Sequence, residues 1–141
     1  MIFKPLQYDS GKMKELQTGA SKTIKKGDPL KFTSGLAEKA GAADETVRFI
    51  SLQGVSGTSA NDPLLALYVG GVEFEATTRA NTDQDQVDSV FNLHADGTVE
   101  NTKSGSYTDG DAFLVTEIVG VATDKKVRGY FLDRVSEKNA D

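Results

Sequence analysis

The chain of 141 residues has no cysteine, no tryptophan and a single histidine, His94. Without thiols there is no disulfide framework, no thiolate nucleophile and no cysteine-based zinc site. One imidazole leaves little room for histidine-based catalysis or metal binding. No apolar stretch approaches the roughly 20 residues that span a bilayer as a helix. The opening MIFKPL runs into polar residues rather than into the apolar core of a secretory signal. The expectation is a soluble protein made in a reducing cytoplasm. A net charge of −5 argues against a broad nucleic-acid surface, which needs clustered basic side chains.

Glycine is plentiful, 14 residues, and sits between short apolar runs, which favours many short strands joined by turns. The length suits one domain. Charge is uneven: residues 1–31 hold seven lysines against Asp9, Glu15 and Asp28, whereas the remainder is strongly acidic. Residues 1–20 have isolated apolar side chains, Pro5, Gly11 and Gly19, and no sustained period. They read as an extended basic arm on an acidic body. Its Ile2, Phe3 and Leu6 are too apolar for a free tail, so the arm is expected to dock on this body or on a neighbouring molecule. If the arm stands apart, removing residues 1–20 leaves the fold intact.

Beyond the arm, residues 21–135 read as one β domain and residues 136–141 as a charged tail. Leu30 and Phe32 alternate with Lys31 and Thr33 before Ser34-Gly35, a hairpin signature. The runs VRFISL (47–52) and LLALYV (64–69) read as strands. In VEFEA (72–76) strict alternation places Val72, Phe74 and Ala76 on one face. Gly70-Gly71 between the last two runs predicts a two-residue hairpin. Asp96-Gly97 marks another, and AFLVTEIVGV (112–121) and VRGYFL (127–132) the last strands. Only residues 82–91 have the spacing for two or three amphipathic helical turns. The order of features recurs at offsets of about 60 to 66 residues, so that residues 21–76 and 85–133 read as half-repeats of a β unit. Coincidence between two similar β segments is the alternative. The fold class is mainly β, a barrel or sandwich of short antiparallel strands with an extended N-terminal arm and little helix.

Motifs of catalysis fail on geometry. Gly19-Ala20-Ser21-Lys22-Thr23 lacks a glycine directly before the lysine and a preceding strand, so it is not a phosphate-binding loop. Gly54-Val55-Ser56-Gly57 lacks the spacing of a nucleophile elbow. Asp83, Asp85 and Asp88, with Asp109 and Asp111, alternate as calcium ligands do, yet without the rest of a calcium loop, and read as solvated turns. Carboxylate pairs also serve glycosidases, which hold sugars on aromatic platforms that a chain without tryptophan is poorly supplied to build. No enzyme, cofactor or metal site is expected.

The runs TIKKGDPLKFTSGLA (23–37), QGVS (53–56), VGGVEFE (69–75), residues 113–121 and Tyr130-Phe131-Leu132 together resemble, in pattern and order, the lambda-like head decoration (capsid cement) proteins of tailed bacteriophages. The likeness covers most of residues 20–133. It implies a non-enzymatic virion protein, synthesised in the host cytoplasm and carried as a homotrimer on the outer capsid surface. There it would bridge major capsid protein subunits and stabilise the expanded head, without membrane, nucleic acid or small-molecule substrate. It also implies capsid contact through the arm, for which Ile2, Phe3, Lys4, Leu6, Lys12 and Lys14 are the candidates. A tail-tube, tail-tip or head-fibre component, and a carbohydrate-binding module using residues 77–86 and 101–110, are the alternatives.

Overall fold

The computed structural model describes residues 1–41, 47–57, 61–102 and 112–132. Among them are strands β1 (Phe3–Pro5), β2 (Met13–Gln17), β3 (Pro29–Thr33), β4 (Leu36–Lys39), β5 (Phe49–Ser51), β6 (Pro63–Tyr68), β7 (Phe74–Thr77), β8 (Val90–Phe91), β9 (Phe113–Val119) and β10 (Lys126–Phe131). They form two five-stranded antiparallel sheets, ordered β1-β7-β10-β9-β8 and β2-β6-β5-β3-β4. The architecture is mainly β and consistent with a sandwich. The charged tail and most of residues 101–110 lie outside the described residues, as do Asp109 and Asp111.

Turn chemistry decides which runs pair. Ser34 and Gly35 both have left-handed backbone, φ 53° and 79°, as a type I′ turn requires, and β3 pairs with β4 across them. Gly70-Gly71 behaves differently. Val72 N–H donates to Val69 O at 3.0 Å, but only Gly71 has positive φ, 73°. That is the pattern of a type II turn, whose twist does not match a two-residue hairpin. The expected hairpin is therefore corrected: β6 and β7 lie in different sheets, and the two glycines carry the chain from one to the other. In the stretch 82–91, a single 3-10 turn at Gln84–Gln86 replaces the longer helix. Asp83 caps that turn, and the left-handed Asp88, φ 70°, stops its propagation.

The N-terminal segment is extended but belongs to the body. β1 pairs with β7, Phe3 opposite Ala76 and Lys4 opposite Glu75, and β2 pairs with β6 along its whole length. Of the two docking options, this structure takes the first. Removing residues 1–20 strips an edge strand from each sheet, so such a truncation is expected to destabilise the fold rather than leave it intact.

The two sheets repeat one another in register. Adding 60 to β2, 61 to β3, 64 to β5 and 63 to β6 reproduces the pairing of β7, β8, β9 and β10. Leu16 faces Leu64 as Ala76 faces Val127; Ser51 faces Ala66 as Val115 faces Gly129; Leu30 faces Phe49 as Phe91 faces Phe113. Bonds outside the ladders repeat as well. Thr18 donates its N–H to Asp62 O at 2.9 Å, and Thr78 donates to Lys125 O at 3.0 Å. Parallel bridges Thr18 to Ala37 and Thr78 to Val99 curl both sheets alike. The repeated unit thus takes in β2, inside the segment read as arm; β1 alone has no counterpart.

Packing explains the continuous apolar runs. The main core joins both sheets and includes Phe3, Ile50, Leu67, Phe74, Phe113, Val127 and Phe131. A smaller core of Ile24, Leu30, Ala37, Leu64 and Ala66 lies inside the first repeat. In β6 residues from both faces, Leu64, Ala66 and Leu67, are buried, which accounts for apolar side chains in succession. In β7 the alternation holds: Phe74 and Ala76 are buried, and Glu75 and Thr77 lie between them at half-exposed positions.

Candidate functional site

The six arm candidates separate between two sheet edges. Phe3 is fully buried, with ring centroids 4.6 Å from Phe131 and 5.4 Å from Phe113. Ile2 is half-buried against the same core. Alternation along β1 then turns Lys4 outward, and Leu6 follows as an exposed residue. On the other sheet, the Lys12 ammonium donates to Gly70 O and stands 5.6 Å from the Tyr68 ring centroid, while Lys14 is exposed on β2. Phe3 and most of Ile2 are thus spent on this chain's own core, and Lys4, Leu6 and Lys14 are the side chains turned to solvent.

A cleft of about 200 Å³ opens beside β1, lined by Met1, Lys4, Pro5, Tyr8, Lys26, Ser51 and Leu52. Met1 and Tyr8 are exposed apolar surface at its rim, and Lys4 and Lys26 make it basic. The position of Lys26 follows from Gly27, whose N–H donates to Ser51 O at 2.8 Å and whose carbonyl accepts from Phe3 N–H at 3.0 Å. Sequence reasoning passed over Tyr8 and Lys26 because neither belongs to a periodic run. A tyrosine with two nearby lysines suits an acidic or carbonyl-rich protein surface.

The strongest electrostatic feature is structural. Glu100, almost buried, accepts from Arg79 at 2.9 Å, has His94 Nδ1 at 2.8 Å, and also accepts from the Thr102 hydroxyl. Burial pushes its carboxyl up, but these hydrogen bonds and the Arg79 charge outweigh that and hold it at about 2. Its counterpart in the first repeat, Glu38, is paired with Lys22 at 3.1 Å and Lys31 at 3.4 Å. The Lys22 hydrogen bond, against partial burial, keeps that carboxyl below its usual range. His94 is thereby a hydrogen-bond partner of Glu100 inside a hairpin rather than a bare turn residue.

Several other carboxylates cap turns: Asp28 accepts from Lys25 N–H, Asp96 from Thr98 N–H and Asp124 from Val121 N–H. Asp83 accepts from Asp85 N–H at 3.1 Å, and the Asp83 charge raises the Asp85 carboxyl. Among the described residues no group of three or more His, Cys, Asp or Glu side chains is placed to hold a metal ion. The loop 77–86 is tied down rather than open: the Asn101 amide bonds to Ala80 N and O at 2.9 and 3.0 Å. No helix among the described residues is long and apolar enough to cross a membrane. No protein-family model matches the chain, and no curated protein matches its sequence.

Proposed function

We propose that the chain is a non-enzymatic virion structural protein that binds the outer surface of a phage capsid as a decoration protein and stabilises the expanded head. The observation that carries this reading is the ordered set of runs at 23–37, 53–56, 69–75 and 113–121, which resembles that of capsid cement proteins. Its physical support is a doubled β body, rigid through two cores, that offers a basic cleft with exposed Met1, Lys4, Leu6 and Tyr8 beside an edge strand. Such a body needs no reaction chemistry; it needs shape, a partner-facing strip and several copies, for which a homotrimer gains affinity through effective concentration. The major capsid protein is the partner, met by Lys4, Leu6 and Lys14 rather than by Phe3.

Expanded heads lacking the protein test this. Added purified protein is expected to bind them at a fixed ratio to the major capsid protein and to raise their disruption temperature. Failure to bind heads of its own phage, or immunogold label confined to tails, overturns the reading.

A further inference from the structure

The internal repeat has one broken correspondence. In the second repeat the outer edge of β7 is covered by β1: Thr77 donates its N–H to Ile2 O at 2.9 Å, and Leu6 donates to Glu73 O at 3.0 Å. Phe3 thereby reaches the T-shaped pair Phe113–Phe131, whose centroids are 5.1 Å apart. The first repeat has the equivalent edge, β2, and the equivalent pair, Phe49–Tyr68, at 5.9 Å and also T-shaped. Yet no strand among the described residues lies outside β2. Phe113 is fully buried, whereas Phe49 and Tyr68 are half-buried and the adjoining Phe32 is 40 % exposed. Met13 N–H already donates to Ser10 O, and the Thr18–Ala37 bridge lies just past Gln17, so the free stretch is centred on Glu15. Its outward backbone beside partly open aromatic rings is a template for strand addition.

We propose that β2 is an acceptor site for an extended segment of a partner protein, which adds antiparallel to Met13–Gln17 as β1 adds to Phe74–Thr77. The register follows from the repeat. Glu15 stands where Glu75 does, so the partner residue opposite it occupies the place of Lys4 and is basic. The residue before it in the partner chain lies opposite Leu16, takes the place of Phe3 and is aromatic or large and aliphatic, covering Phe49 and Tyr68. A second copy of this chain is a poor donor of that strand, because lending β1 takes Phe3 out of the cluster it forms with Phe74, Phe113 and Phe131. The site is a property of the fold and holds whether or not the partner is a capsid.

The probe is a capped, fluorescein-labelled heptapeptide, MIFKPLQ, which copies the strand that already fills the equivalent edge. Titrated into the full chain, it is expected to bind saturably and to slow hydrogen exchange at the Glu15 and Gln17 amides. Glu15→Lys is expected to weaken binding about tenfold by placing like charges across the pair, and a peptide with glutamate for its lysine is expected to restore it. Glu15→Pro removes an outward N–H while leaving the β2–β6 bonds of Lys14 and Leu16, and is expected to abolish binding. Should that variant fold poorly, the charge swap on an exposed side chain still decides. No saturable binding overturns the proposal. So does unchanged affinity in Glu15→Lys with faster exchange at the Phe3 and Leu6 amides, which would mean exchange for β1. Self-association lost on Glu15→Lys would overturn it in favour of a second copy.

Discussion

Gly27 and Asp88 occupy the same position in the two repeats. Both are left-handed, φ 89° and 70°, and each donates its N–H to an equivalent residue, on β5 and β9 respectively, Ser51 O at 2.8 Å and Val115 O at 2.7 Å. Aspartate tolerates that conformation better than most residues but less well than glycine. Asp88→Gly is therefore expected to raise the unfolding free energy by about 0.5 to 1 kcal/mol, and Asp88→Val to lower it by more than 1 kcal/mol. Urea midpoints of the two variants against the parent check the sign; a stabilised valine variant contradicts the assignment.

Phe3 is expected to behave as a core residue. Phe3→Ala empties a cluster of four aromatic rings and should cost about 3 to 5 kcal/mol, as buried phenylalanine truncations do. Lys4→Ala, on an exposed side chain of the same strand, should stay within about 0.5 kcal/mol. Thermal denaturation of both distinguishes a docked strand from a loose arm, for which the two would be alike.

Glu100 sets an acid limit. Its folded carboxyl titrates at about 2, below the ordinary value of 4.5. The stabilisation is therefore complete above about 4.5 and is lost as the pH falls toward 2, because protonation is then paid for by breaking the Arg79 and His94 contacts. Glu100→Gln should show a shallower loss of stability between pH 4.5 and 2 than the parent, together with a lower stability at pH 7 of about 1 to 3 kcal/mol. Parallel curves across that window would remove Glu100 from the account.

Gly129 marks a bulge. The register of β9 and β10 shifts between Arg128 and Gly129, and a Cβ at Gly129 would meet the Leu114 carbonyl oxygen and the Phe113 ring. Gly129→Ala is expected to destabilise by more than 2 kcal/mol, whereas the same change at Gly11, where nothing lies near, is expected to be mild. Chemical denaturation of the pair measures the difference.

The elements legible in the sequence are those whose signals are local. Ser34-Gly35 announces its own turn, and β7 announces its buried face through alternation. Gly70-Gly71 misleads because two glycines permit several turn types, and φ at Gly70 is settled only by where the next strand finds a partner. The N-terminal strands are hidden for a related reason. β1 and β2 are short edge strands with one inward aromatic or a few half-buried residues, so their structure is written in the strands they pair with, β7 and β6, about seventy and fifty residues away. The register of the repeat was faint because matching positions keep shape and pairing rather than residue type: Gly27 with Asp88, Tyr68 with Phe131. The open edge of β2 is visible only by comparing two sheets already in place.

The distribution of strands between sheets also orders events in time. Every strand of the β2-to-β6 sheet is contained within residues 13–68, so that sheet has all its strands once residue 68 has left the ribosome. β1 is different. Its partner β7 begins at Phe74 and the aromatic bed for Phe3 ends at Phe131, so β1 is made long before the strands that hold it in place. Throughout that interval a nascent chain carries an unplaced Phe3 next to an open β2 edge built to receive such a strand.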